Sequence, residues 1–409
     1  MGIIGSILLV LLFGDLLWWW RADRVLRCFL RAHGWRIALG IFMATQFIGL
    51  SLVVISRGFD VDFAGLLTHQ WLTFIYIWHC LLLFPMLLLW IPYAAARGIV
   101  TGVRRLLDLR AARRETPPTL GSGEPITRRE FARLLGTAAP AVVTLGAAGV
   151  ALWQIERFRI RRVAIHLPSL PPALDGLTIA HVTDLHVGQF TRGEVLDRII
   201  RATNDLRADL VLYTGDLINF ALSDLDAALA VVRKMRATYG FYMCEGNHDL
   251  FEDADEFRRR TRAAGLNLLV NESTVLSIRG TPVQMLGLRW GARDSHPHDP
   301  ASRGDRAIAA SMQELLPQRV PDAFPILLAH HPHAFDFAQE IPLTLAGHTH
   351  GGQLMATPHV GFGPMLYRYW SGLYREQNRA LFVSNGTGNW FPLRTRAPAE
   401  IVHITLLRS

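Results

Sequence analysis

Cysteine is scarce. Cys28, Cys80 and Cys244 are the only three in 409 residues and lie far apart, so no disulfide framework can be built on them. Lysine is almost missing too, and the formal net charge of +8 is carried almost wholly by arginine. No internal repeat or low-complexity tract stands out. No basic residue precedes the first apolar run and no small-residue cleavage site comes after it, which argues against a cleaved signal peptide. What the chain has in quantity is apolar residues: 50% hydrophobic, with a mean hydropathy of +0.22, high for a soluble enzyme. The arginines cluster beside these apolar segments. Membrane topology explains that better than phosphate-backbone contacts, so no nucleic-acid partner is expected.

Four apolar stretches have the length of a bilayer crossing: Gly2 to Trp20, Trp35 to Ser56, Trp71 to Ala96 and Leu134 to Trp153. The first ends in Trp18-Trp19-Trp20, which suits an interface, and Pro85 and Pro92 are expected to kink the third. Asp15 and His79 are ionisable groups at membrane depth; Asp15, near the tryptophans, could reach headgroups. Arg21, Arg24, Arg27, Arg31 and Arg36 lie after the first stretch, and nine arginines fall between Arg97 and Arg133. The positive-inside bias places both segments in the cytoplasm. Within the second, Glu115 to Pro125 is rich in Pro, Gly and Thr and reads as a linker. Thr127-Arg128-Arg129-Glu130-Phe131 reads either as a twin-arginine export signal or as an ordinary basic flank, and both put the chain beyond the fourth stretch outside the cytoplasm. Arg157, Arg159, Arg161 and Arg162 come directly after the fourth stretch and run against that orientation. Long domains translocate largely regardless of charge, and these four could lie along anionic headgroups. The expected organisation is a membrane region over residues 1–156, including a basic linker over 97–133, and a second domain over 157–409.

From about Ala164 the chain alternates short apolar runs with amphipathic patterns. Helices are expected over Glu194 to Leu206, Leu225 to Met235, Ala254 to Ala264, Asp305 to Leu316 and His333 to Glu340. Strands close the chain, over Ala380 to Ser384 and Glu400 to Leu407, so the class is α/β with a mixed sheet. Five of the apolar runs share one feature: each ends in a polar cluster. Leu177 to Thr183 runs into Asp184-Leu185-His186, Asp209 to Thr214 into Gly215-Asp216, and Phe241 to Glu245 into Gly246-Asn247-His248-Asp249. Phe324 to Ala329 runs into His330-His331-Pro332-His333, and Ile341 to Leu345 into Ala346-Gly347-His348-Thr349-His350-Gly351-Gly352-Gln353. In open α/β sheets, sites form at the carboxyl ends of strands, so the repetition marks one site assembled from five turns.

The ordered set D-x-H, G-D, G-N-H-D, H and G-H-T-H resembles the calcineurin-like metallophosphoesterases. The flanking text resembles their membrane-associated bacterial branch, in Leu167-Pro168-Ser169-Leu170-Pro171-Pro172, Ser371-Gly372-Leu373-Tyr374, Val383-Ser384-Asn385-Gly386 and Pro392-Leu393-Arg394. The resemblance covers about Ile165 to the C-terminus. It implies two stacked mixed sheets flanked by helices, here preceded by an N-terminal helical transmembrane region, and a centre of two divalent cations: Mn, Zn, Fe or Co. Asp216 is then the bridging carboxylate. Asp184, His186 and His350 complete one metal's ligands, and Asn247, His330 and His348 the other's. Two divalent ions, less two carboxylates and a bridging hydroxide, leave positive charge that suits a phosphate and lowers the pKa of the bridging water. His248 is expected to protonate the leaving oxygen or stabilise the transition state, with Asp249 orienting it through its other ring nitrogen. His331 and His333 are expected to support the ligands or lie at the surface, His181 to be a satisfied core residue, and His296 and His298 to be exposed.

The expected activity is hydrolysis of a phosphodiester or pyrophosphate, with a lipid-linked substrate favoured because the domain is tethered to a multi-pass bacterial inner-membrane region. Tyr367, Tyr369, Trp370, Trp390 and Phe391 either hold acyl chains or pack the core. Relatives in this branch include broad phosphodiesterases and hydrolases of UDP-diacylglucosamine; the latter act in the cytoplasm, which conflicts with an extracytoplasmic domain. Two other readings stay open: an extracytoplasmic hydrolase of soluble nucleotides or cell-wall phosphodiesters, and a metal-binding membrane sensor without activity.

Overall fold

The computed structural model describes residues 3–27, 33–59, 68–107, 127–291 and 300–409, in two compact units, Met1–Leu152 and Trp153–Ser409. Cys28, Arg31, the linker from Glu115 to Pro125, and His296 and His298 lie outside the described residues.

The first unit is helical. Its helices are Ile3–Arg27, His33–Phe59, a run from His69 to Leu107, and Arg128–Gln154, which continues to the start of the second unit. Three described segments are long and apolar enough to cross a membrane: His33–Ile55, His69–Val103 and Glu130–Gln154. They overlap the second, third and fourth expected stretches; the first overlaps Ile3–Arg27, which is not one of the three. Near Pro85 the helix widens rather than simply kinking, with a π-helical turn over Ile77–Leu83 in which the Phe84 amide donates to the His79 carbonyl. Pro85 comes next and has no amide hydrogen to continue an ordinary ladder. The turn carries His79 and Trp78 inward. Asp15 does not reach outward: it is buried, accepts from Trp78 Nε1 at 2.7 Å, and faces His79 Nε2 at 2.9 Å. The other His79 nitrogen bonds the Ile75 carbonyl at 2.8 Å, so the ionisable groups satisfy one another inside the helices.

Among its described residues the second unit holds fourteen strands in chain order: β1 (Phe158–Leu167), β2 (Thr178–Val182), β3 (Leu210–Thr214), β4 (Phe241–Cys244), β5 (Asn267–Leu268), β6 (Glu272–Ile278), β7 (Thr281–Gly287), β8 (Phe324–Leu328), β9 (Leu343–Ala346), β10 (Met355–Thr357), β11 (Val360–Gly361), β12 (Gly372–Glu376), β13 (Arg379–Val383) and β14 (Ala399–Arg408). Two six-stranded mixed sheets form, ordered β1-β14-β2-β3-β4-β5 and β12-β13-β9-β8-β7-β6. Strands β2, β3, β4, β8 and β9 are the five apolar runs. They read as continuous hydrophobic stretches because nearly every position is buried, as parallel strands covered on both faces require. One apolar layer, including Ile179, Leu212, Ile326, Leu345 and Ile404, fills the space between the sheets. A second packs Glu194–Asp205 and Leu225–Val232 on the outer face of the first sheet through Val195, Ile199, Leu225 and Leu229. A third packs Pro300–Leu315 on the second sheet through Ile308, Met312 and Leu315. Each such side chain contributes about 1.5–3 kcal/mol on full burial.

The stretch from Phe158 to Leu167, whose arginines matched a membrane flank, is the edge strand β1, parallel to β14. Arg159 and Arg161 both pair with the fully buried Glu400, at 2.7 and 3.4 Å. Arg162 lies 3.1 Å from His403 Nδ1, and Arg157 stacks over Trp153. All four arginines therefore have partners within this unit. The expected helix from His333 to Glu340 contracts to Ala334–Phe337.

Candidate metal centre

The five polar clusters converge because β2, β3, β4, β8 and β9 end on the same side of the two sheets. Asp184, His186, Asp216, His330 and His350 are buried, and Asn247, His248 and His348 partly so. Their ligand-type atoms form three overlapping groups: Asp184, His186 and His350; His186, Asp216 and His248; and Asp216, His330 and His348. Asp216 belongs to two of them. Asn247 joins the last, its Oδ1 accepting from His348 Nδ1 at 3.0 Å.

Backbone conformation brings these groups inward. Asp184, His186, Asp216, His348 and His350 all adopt positive φ, between 46° and 71°. Side chains other than glycine rarely take that conformation, and such strain gathers at functional sites. Gly347 is required for close approach: a Cβ there would lie 2.2 Å from Asp184 Oδ2 and 2.4 Å from Thr183 Oγ1.

The donor set fits divalent cations. His330 Nδ1 donates to the Thr214 carbonyl at 2.6 Å, which fixes the tautomer and leaves Nε2 free. That Nε2 is buried, has no hydrogen-bond partner, and lies 3.1 Å from Asp216 Oδ2. His186 Nε2 and His350 Nε2 face each other at 2.9 Å; since Arg394 donates to His350 Nδ1, His350 Nε2 carries the ring proton and donates to His186 Nε2. Burial works to raise the pKa of Asp184 and Asp216, but the surrounding imidazoles outweigh it and hold both carboxyls well below the usual range. Burial also opposes protonation of His330, yet the Asp216 and Asp184 carboxylates carry it up to about 9. The centre thus attracts positive charge.

His248 lies beside the centre, its ring 4.5 Å from that of His186. Its backbone amide donates to Asp216 Oδ1 at 2.8 Å, and its Nδ1 bonds the Asn219 carbonyl at 2.5 Å. The carbonyl can only accept, so Nδ1 carries the proton and Nε2 is the free acceptor. Burial among Phe220, Phe251 and Trp390 pushes its pKa down to about 4.

Asp249 requires a correction. It does not orient His248; its carboxylate accepts the backbone amides of Asp216, Leu217, Ile218 and Gly246 at 2.7–3.1 Å. The residue ties the turn carrying Asp216 to the turn carrying Asn247. Burial and the Asp216 carboxylate raise its pKa to about 8, against those four donors.

Sequence motifs assign no role to two neighbours of the centre. Arg394 is buried, and its Nη2 donates to His350 Nδ1 at 2.8 Å while the same guanidinium bonds Asn389 Oδ1 and the carbonyls of Asn385, Gly388 and Ala397. The only trace in the sequence is Pro392-Leu393-Arg394. Trp290 packs its ring 5.4 Å from His330 and 5.0 Å from His348. The five tail aromatics divide. Tyr367 lies 5.7 Å from the His348 ring and Trp390 6.3 Å from that of His350, at the centre. Tyr369 and Phe391 are buried, and Trp370 is half-buried with its carbonyl accepting from Thr349. His331 packs against His348 and Trp290, and His333 against His331 and Tyr369. His181 is a core residue, its Nε2 2.9 Å from Thr214 Oγ1.

Residues 177–352 match the family model described as calcineurin-like phosphoesterase. An uncharacterised metallophosphoesterase of Helicobacter pylori is 28% identical over 258 residues, which covers 62% of this chain and 65% of that protein. A transmembrane protein with metallophosphoesterase domain from Danio rerio is 29% identical over 60% of this chain and 56% of its own length. The phosphodiesterase YaeI of Escherichia coli is 26% identical over 69% of this chain and all of its own length. The match thus spans less than two thirds of the length of the Helicobacter pylori and Danio rerio relatives. With the motifs, the stacked sheets and the converging ligand groups in agreement, residues 177–352 are the core of a calcineurin-like metallophosphoesterase domain.

Proposed function

We propose that the chain is a membrane-anchored phosphoesterase with two divalent metal ions that hydrolyses a phosphodiester or pyrophosphate carried on a lipid. The observation that carries the reading is Asp216, whose Oδ2 lies 3.5 Å from His186 Nε2 at the end of one sheet and 3.1 Å from His330 Nε2 at the end of the other. Asp184, His186, Asp216 and His350 would hold one ion, and Asp216, Asn247, His330 and His348 the other. Bound there, two such ions clamp a phosphoryl group and lower the pKa of a water between them. Arg394 holds the His350 ring in place, and Trp290, Tyr367 and Trp390 shield the ligands from bulk water. His248 presents Nε2 to the substrate. It donates from that atom once the ring takes a second proton, which burial opposes and an adjacent anionic phosphate favours. The arginine bias supports an extracytoplasmic position for this domain.

A metal-loaded activity screen on the purified full chain tests the reading, comparing a lipid pyrophosphate, a lipid phosphodiester, a nucleotide and a soluble aryl diester. Faster turnover of the lipid-linked substrates is expected. Preference for the soluble substrates would overturn the lipid assignment, and inertness towards all four with Mn or Zn bound would overturn hydrolysis itself.

A further inference from the structure

Between the G-H-T-H-G-G-Q motif and β12 the chain makes an excursion, from Leu354 to Tyr367, that contains no Asp, Glu, Lys or Arg. It holds β10, β11 and the short helix Phe362–Leu366. An excursion on the outside of a domain is ordinarily polar, because nothing compensates apolar side chains left in water. Here Val360, Phe362, Met365 and Leu366 are 45–74% exposed. The excursion is also fastened to the metal centre. A Cβ on Gly352 would lie 2.5 Å from the Gly363 nitrogen, and Tyr367, at its far end, packs against His348. Across the centre, Phe251 and Trp390 beside His248 are 54% and 37% exposed. Exposed apolar residues thus flank the site on two sides.

The point where the chain enters this unit says what covers them. Phe158 pairs with Ala399 on β14, and Val402, three residues on, lies opposite His181 on the antiparallel β2. Phe158 therefore stands level with Asp184, at the metal end of the sheet. Just before it, the Ile155 carbonyl accepts from Asn389 Nδ2 at 2.9 Å, next to Trp390. The segment Glu130–Gln154, long and apolar enough to cross a bilayer, ends one residue earlier. A chain emerging from a membrane at Gln154 reaches the metal end of the domain first, and the opposite end last.

We propose that the excursion, together with Phe251 and Trp390, docks into the acyl layer of a phospholipid leaflet and seats the mouth of the metal site on the bilayer surface. This deepens the lipid-linked function proposed for the site, on which its use in substrate delivery rests. Apolar side chains at this density insert a short way past the headgroups. A substrate phosphate joined to a lipid would then meet the ligands without its chains leaving the bilayer.

The test uses the full chain with its native cysteines replaced, carrying one cysteine at Met365→Cys or Leu366→Cys labelled with nitrobenzoxadiazole. The control label goes on Ser169→Cys, exposed in the loop after β1, at the opposite end of the sheet. The proteins are reconstituted into phosphatidylcholine–phosphatidylglycerol vesicles that contain lipids with nitroxide on the acyl chain. Both site labels are expected to shift to the blue and to be quenched several-fold more than the control. Equal quenching at 365, 366 and 169 would overturn the proposal. So would a blue shift that tracks protein concentration instead of nitroxide lipid, because a second copy would then be covering the face. No turnover enters the measurement, so an inactive protein whose labels are quenched would sink the hydrolase reading and leave the docking intact.

Discussion

Arg394 donates from Nη2 to His350 Nδ1 at 2.8 Å, and the same guanidinium ties together three backbone carbonyls of the tail. A guanidinium can only donate, so His350 Nδ1 accepts and its Nε2 carries the ring proton; Arg394 fixes the plane of that ring and the tail around it, and is in that sense a positioning residue for the Asp184, His186 and His350 group. Arg394→Gln should weaken metal binding at that group by about 10–100-fold, the range for partners that orient ligands. The Asn247, His330 and His348 group does not touch Arg394 and should keep its ion. Elemental analysis of protein equilibrated with Mn or Zn should fall from two ions per chain towards one. Loss of both ions, or of neither, would contradict the assignment.

Asp216→Ala and His248→Ala should separate binding from chemistry. Asp216 is shared between two ligand groups, and its removal should empty both and abolish activity. His248 bonds the Asn219 carbonyl through Nδ1 and keeps a ring nitrogen close to His186 and Asp216. Its loss should keep the metals and lower turnover by about 10²–10⁴, the usual effect of a proton-transfer group. Metal content measured beside single-turnover rates decides. Equal metal occupancy in wild type and Asp216→Ala would rule out the shared carboxylate, and loss of metal in His248→Ala would make His248 a ligand.

Asp249 is expected to affect stability before turnover. A residue that orients His248 would, on mutation, slow turnover and leave stability alone. A carboxylate that accepts four backbone amides, at Asp216, Leu217, Ile218 and Gly246, should do the reverse first. Asp249→Ala strands buried donors at about 1–3 kcal/mol each, reduced where the turns relax. Thermal unfolding of the metal-free protein should show the loss directly. An unchanged melting temperature with reduced turnover would restore the orienting role.

The five strand ends were legible because each is a nearly wholly buried run that stops at a glycine or a polar residue, and burial on both faces writes itself as unbroken hydrophobicity. Strand β1 was hidden. Phe158-Arg159-Ile160-Arg161-Arg162 has the composition of a membrane flank, and only Glu400, more than two hundred residues away, explains two of its arginines. The hairpin of β6 and β7 was also missed, since β6 is half-exposed and mixes Glu272, Ser273 and Thr274 with apolar residues. Within the centre, the ligand types could be read from motif spacing. The left-handed backbone at Asp184, His186, Asp216, His348 and His350 could not, because none of them is a glycine. Nor could the partner of Asp249, since a carboxylate next to a histidine in sequence is no nearer to it in hydrogen-bonding reach than the amides of another turn.

His181 contributes to the acid limit of the fold. It is fully buried in β2, bonded to Thr214, and burial pushes its pKa down to about 3. In the unfolded chain a histidine titrates near 6.5. The folded pKa is the lower one, so below pH 6.5 the unfolded chain binds a proton that the folded state refuses. Stability is therefore complete above about pH 6.5 and falls as pH drops towards the folded value, by up to about 1.4 kcal/mol per pH unit from this group. Asp184 and Asp216 have the same sign, since carboxyls held below their usual range stabilise only while ionised, but they act below about pH 4. His248 and His348, pushed down to about 4 and about 3 by burial, and His186, His331 and His350, lowered by the same cause, act with the same sign between pH 6.5 and 4, so it is the difference between variant and wild type that reports His181. His181→Gln keeps a donor for Thr214 and cannot titrate, so its denaturation midpoint should fall less steeply across that window than the wild type's, by an amount on the order of 3 kcal/mol at pH 4. Parallel curves for the two proteins would mean that His181 takes up its proton in the folded state without cost.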